Sequence, residues 1–176
     1  MNVSNMTETA LMAAVIAVLS PLAVPLAGQV PISLATLAGM LAGIVLKEKY
    51  GTLAVVIYIV LGMIGMPVFA GWSSGASVVF GMTGGYIIGY LPLAWITGRA
   101  AAAAAKCTPY SYTKLITGAL LGTLVLYVLG TVWFMAYTGM GPAASLSACV
   151  LPFLPGDALK IAAAALLAPR LEKIRK

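Results

Sequence analysis

Asp157 and Lys160 stand three positions apart in LPFLPGDALK (151–160), directly ahead of the apolar run IAAAALLAP (161–169). A carboxylate accepts hydrogen bonds and an ammonium donates them, and residues three apart share a helix face. The pair can close on itself as an ion pair beside a helix start, or present an acceptor and a donor to a polar ligand in a cavity open to the outside. A second stretch with binding chemistry is AGWSSGAS (70–77). It can serve as a plain connection with an interfacial Trp. Alternatively it folds over a ligand, with Trp72 packing on an apolar body while Ser73, Ser74 and the backbone of Gly75 donate hydrogen bonds. Tyr86 and Tyr90 offer hydroxyls that either reach such a cavity or fill core.

Other chemistry is excluded by residue type. There is no His, and Asp157 is one of only four acidic residues. Paired catalytic carboxylates and a zinc cluster therefore cannot be assembled, and neither catalytic nor metal-ligating residues are expected. Cys107 and Cys149 are too distant in sequence for metal-ligand spacing and define no disulfide framework. Neither GxxxxGK[ST] nor GxGxxG after a strand occurs. An intramembrane hydrolase using Asp157 or a serine remains an alternative from another class, and a non-catalytic scaffold subunit is a third.

The elements that must position these residues follow from composition. Hydrophobic residues make up 62% of the chain and charged ones 8%, with mean hydropathy +1.06, against about 25% charged in soluble domains. The apolar runs are continuous rather than alternating, which favours helices over a transmembrane barrel. An all-α integral membrane protein is expected, one transmembrane domain over 1–176 with six helices at about 7–27, 32–46, 51–66, 78–97, 113–136 and 156–169. The first lacks a basic leader and is expected to be a retained helix rather than a signal peptide. Lys and Arg fall in alternate connections: Lys47 and Lys49, then Arg99, Lys106 and Lys114, then Arg170, Lys173, Arg175 and Lys176. By the positive-inside rule both termini are cytoplasmic. The net charge of +6 then lies beside anionic lipid and implies no nucleic-acid partner. The segment AAAAAKC (101–107) reads as a helical extension or linker.

Small residues at four-residue spacing let membrane helices approach closely. Gly81, Gly85 and Gly89 form one such row and are expected to pack helices. Ala10, Ala13, Ala14 and Ala17 form two overlapping pairs, which serve packing within the fold or docking onto another membrane protein.

LPFLPGDALK, FGMTGGYIIGY (80–90) and VPISLATLAG (30–39) together resemble the BioY family, the biotin-binding S components of energy-coupling factor (ECF) vitamin transporters. The chain departs from the family's usual Gly-Pro-Thr-Gly-Gly at Gly81–Gly85 and from its Thr-Leu-Gln at Ser33–Ala35. The positive-inside bias and the absence of an outer-membrane pattern point to a prokaryotic plasma membrane, and the resemblance implies an S-component bundle that captures biotin from outside and docks on a transmembrane coupling subunit carrying two ATPases. It implies no cofactor, biotin being the transported substrate. Asp157 and Lys160 match the family's polar site, the AGWSSG loop its ligand-covering loop, and the alanine-lined first helix its docking surface. An S component for thiamine or riboflavin is the nearest alternative.

Overall fold

The computed structural model describes residues 2–24 and 30–174. Helix α1 spans Val3–Leu19, and a two-residue antiparallel ribbon pairs β1 (Ala23–Val24) with β2 (Ile32–Ser33). The remaining helices are α2 (Ala35–Met63), α3 (Ala76–Val79), α4 (Gly84–Ala105), α5 (Tyr112–Thr138), α6 (Pro142–Cys149) and α7 (Leu154–Ile174).

Six expected boundaries need correction. Helix α1 begins earlier and stops at Leu19, because Pro21 has no N–H to continue the ladder and Ala23–Val24 turn into the ribbon. The last part of the expected first helix, from residue 25, lies outside the described residues. The expected second and third helices are two arms of α2, and the second begins at residue 35 rather than 32 because Ile32–Ser33 pair with β1. They join at Lys47, whose φ of 63° and ψ of −174° break the helical path. The arms fold back so closely that a Cβ on Gly51 would stand 2.6 Å from the Ala42 carbonyl. In a straight helix nine residues would separate these positions by about 13 Å. The expected fourth helix is interrupted at Phe80–Thr83, where Gly81 offers its carbonyl to the Trp133 indole at 2.9 Å. Gly81 therefore precedes α4 instead of lying on its face. The poly-alanine run 101–105 extends α4. The final helix continues past Pro169 to Ile174, and the extra turn brings Glu172 to Lys47. Helix α6 lies between the expected fifth and sixth helices and matches neither.

By length and composition, α4 and α5 are each able to cross a membrane, and α6 with α7 forms a pair bent by 49°. The charges of Lys47, Glu48 and Lys49 sit at the bend of α2 and divide it into two apolar arms. Among the described residues, the long helical segments are α1, the two arms of α2, α4, α5 and α7.

Close packing of α4 on α5 rests on glycine. A Cβ on Gly85 would meet the Trp133 Cβ at 2.3 Å, and one on Gly89 would meet Leu126 Cδ1 at 2.6 Å. Reciprocally, Gly130 of α5 lies under the Tyr86 ring and Gly122 against Leu93. Gly85→Ala is expected to destabilise by on the order of 1–2 kcal/mol, since overpacked cores shift backbone. Gly141→Ala, at a site with open space, should change little in the same denaturant series.

The bend at Lys47 is held by its ammonium, which donates to Glu172 and, at 3.3 Å, to the Ile44 carbonyl. Gly98 of α4 leaves room for it, since a Cβ there would meet the Glu48 nitrogen at 2.5 Å. Burial beside Glu172 pushes the neighbouring Tyr110 phenol up to about 12. A left-handed backbone costs a non-glycine residue roughly 1 kcal/mol or more, so Lys47→Gly trades the ion pair for relief of strain. Lys47→Ala loses the pair and keeps the strain. The alanine variant should be the less stable of the two by about 1 kcal/mol in thermal unfolding.

Candidate ligand-binding site

Asp157 enters α7 in its first turn, and Glu172 marks the other end of that helix. At 1.5 Å per residue the two lie about 22 Å apart, so the Asp157 end is remote from the bend at Lys47.

Asp157 and Lys160 are 2% and 8% exposed. Buried charges at membrane depth persist only where paired or hydrogen-bonded, and both are. The Lys160 ammonium donates to the Ser33 carbonyl at 2.7 Å, to Thr36 Oγ1 at 2.9 Å and to Asp157 Oδ1 at 2.8 Å. Those three bonds use all its donors. Thr36 in turn donates to Asp157 Oδ1 at 3.2 Å, and the Tyr127 hydroxyl donates to Oδ2 at 2.6 Å. A carboxylate has about four lone-pair sites, and three donors occupy Asp157, so one acceptor position remains. The cluster joins the ribbon end, α2, α5 and α7.

Two chambers share Val30, Pro31, Ser33, Tyr86 and Tyr90, and the smaller of them adjoins the pair. The smaller, about 30 Å³, is closed by Thr36, Leu126, Tyr127, Phe153, Asp157 and Lys160. The larger, about 170 Å³, extends between Ser20, Tyr58, Phe69, Ser73, Thr83 and Ile87. Small-molecule sites begin at roughly 300 Å³, so a vitamin-sized ligand needs a wall to move. Phe69, Ala70 and Ser73 line the larger chamber from a segment outside the membrane helices.

The expected residues divide around this cavity. Asp157, Lys160, Ser73 and Tyr86 line it, as does Tyr90. The Tyr86 hydroxyl also donates to the Cys149 carbonyl at 3.3 Å. Trp72, expected to pack on the ligand, is 65% exposed and lines an open depression with Leu22, Val24 and Ile32. The cause is the loop's backbone. Gly71 and Trp72 take φ of 67° and 62°, and Phe69 bonds back to Ser73, which turns Phe69 inward and Trp72 out. Phe69 is the wall's aromatic, edge-on to Tyr58 at 5.5 Å between ring centroids. Ser74 and Gly75 do not contribute to the chamber walls. The Gly75 N–H instead ties the loop to the Gly62 carbonyl at 2.8 Å. On α1, Ala13 is buried and Ala17 half-buried, whereas Ala10 and Ala14 are exposed.

An all-helical membrane bundle with a buried acceptor and donor at the end of an internal cavity defines, by class, a membrane-embedded binder of a small polar-headed molecule. The chain belongs to the BioY family, whose sequence profile matches residues 1–176. It is 35% identical to the biotin transporter BioY of Rhodobacter capsulatus, over 97% of this chain and 94% of the relative. It is 38% identical to the probable biotin transporter BioY of Pyrococcus horikoshii, over 82% of each chain. The crystal structure of an S-component for biotin from an ECF-type ABC transporter superposes with a TM-score of 0.89 at 31% identity, covering 97% of this chain and 92% of that one.

Proposed function

We propose that this protein is the biotin-capture subunit of an ECF-type uptake transporter. The observation that carries the reading is the buried Asp157–Lys160 pair at the end of a cavity, in a chain whose relatives are named biotin transporters. It is a substrate-binding subunit and not an enzyme. Biotin is its transported substrate rather than a cofactor. The spare acceptor position on Asp157 suits a ureido N–H, and the chamber supplies apolar walls for the bicycle.

Transport against a gradient needs an energy source. The chain carries no phosphate-binding loop, so an ECF module supplies it, in our reading a transmembrane coupling subunit with two ATPases. The exposed Ala10 and Ala14 form the small-residue strip on which that subunit docks, and Ala13 and Ala17 face inward. The protein is multi-pass in a prokaryotic plasma membrane, with both termini cytoplasmic. Supporting that orientation, Lys47 at the bend pairs with Glu172 at the end of α7 remote from Asp157.

Isothermal titration of detergent-purified protein with biotin, beside a thiamine control, tests the reading. Saturable heat with biotin alone is expected. Equal response to thiamine, or none to biotin on folded protein, rejects it.

A further inference from the structure

The cavity has a second polar anchor at the end away from Asp157. Ser20, just past the end of α1, and Tyr58 on the second arm of α2 hold their hydroxyl oxygens 2.6 Å apart, both buried and both lining the larger chamber. Two hydroxyls carry two protons, and their mutual bond uses one. The other O–H has no protein acceptor among the described residues. A buried donor left without a partner is costly, so this is a place built to meet an acceptor. Phe69, Val78 and Ile87 are apolar walls of this chamber, which joins the smaller one at Ser33, Tyr86 and Tyr90. The combined cavity therefore has the hydroxyl pair toward one end and the ion pair at the other, with Phe69, Val78 and Ile87 among its walls.

We propose that the Ser20–Tyr58 pair receives the carboxylate of the bound ligand, leaving the ureido ring at Asp157 and Lys160. The inference rests on the biotin reading above and specifies its orientation. A ureido group presents N–H donors, and one acceptor position on Asp157 is open to them, with three donors already on its four lone-pair sites. A carboxylate at that end would face Asp157, and all three donors of Lys160 are already engaged. At the other end the Gly71 N–H bonds to the Pro21 carbonyl at 3.1 Å, so the anchor lies directly beneath the loop facing outward.

The pair's reciprocity gives an unusual signature. In Ser20→Ala the Tyr58 hydroxyl is released to donate, and in Tyr58→Phe the Ser20 hydroxyl is. Each single variant should weaken biotin binding less than about threefold, whereas the double variant should lose roughly tenfold or more. The titrations are repeated with an analogue whose carboxyl is replaced by methyl. The double variant should bind that analogue as the unmodified protein does, with an unchanged unfolding midpoint. Equal losses for both ligands would assign the pair a purely structural role, and no loss with biotin would place the carboxylate elsewhere; either overturns the anchor. Absence of biotin binding to the unmodified protein would instead overturn the functional reading, and the anchor with it.

Discussion

Lys160→Met is expected to destabilise the protein by roughly 3–5 kcal/mol, the cost of breaking a buried ion pair by removing one partner. Methionine fills a similar volume, so the loss is one of charge and hydrogen bonds. Three acceptors are deprived at once: the Ser33 carbonyl, Thr36 Oγ1 and Asp157 Oδ1. The carboxylate keeps only Thr36 and Tyr127 as donors, with no positive charge beside it. Combining Lys160→Met with Asp157→Asn removes the unpaired charge and should recover at least half the lost stability, because residues in one network do not act additively. Denaturant unfolding of the two single variants and the double variant measures this. A Lys160→Met variant within about 1 kcal/mol of the unmodified protein would show that the buried pair is not what holds α7 to α2.

Asp157 and Lys160 were legible because a charge ahead of an apolar run has few tolerable explanations in a membrane. Their partners were not. Thr36 lies 121 positions from Asp157, and Tyr127 lies 30 away. Each sits in an apolar stretch where Thr or Tyr at a helix face reads as ordinary packing. What makes them part of the site is the way α2 and α5 lie against α7, which periodicity does not encode. The loop shows a different limit. Its sequence singles out Trp72, the larger aromatic, but two consecutive left-handed residues turn Phe69 inward instead. The bend at Lys47 was visible as a charge cluster between apolar runs. Its sharpness depends on Gly51 and Gly98, whose bare Cα atoms admit neighbouring backbone. Gly85 and Gly89 were expected to pack helices and do lie against α5, while Gly81 serves through its carbonyl.

Asp157→Asn should separate binding from folding. Asparagine has nearly the same shape, its carbonyl can still accept from Lys160 and Thr36, and its amide can donate to the Tyr127 oxygen, which reverses that one bond. The fold should therefore suffer less than in Lys160→Met, where three acceptors lose their donor. The ligand fares worse. An N–H that met a charged acceptor now meets either a neutral oxygen or a competing N–H, and the loss of a charge-assisted hydrogen bond is worth about 1.5–3 kcal/mol. Biotin affinity should fall by roughly 10- to 150-fold. The same loss is visible through stability, because a ligand that binds only the folded state stabilises it by RT ln(1 + [L]/Kd). At a biotin concentration of about 1,000 times the unmodified protein's Kd that is roughly 4 kcal/mol, and a variant binding a hundredfold more weakly keeps about 1.4 kcal/mol by the same relation. Titration and thermal shift should agree on the variant's Kd. An Asp157→Asn protein that binds within threefold of the original would remove the carboxylate from ligand recognition and leave it the task of holding Lys160.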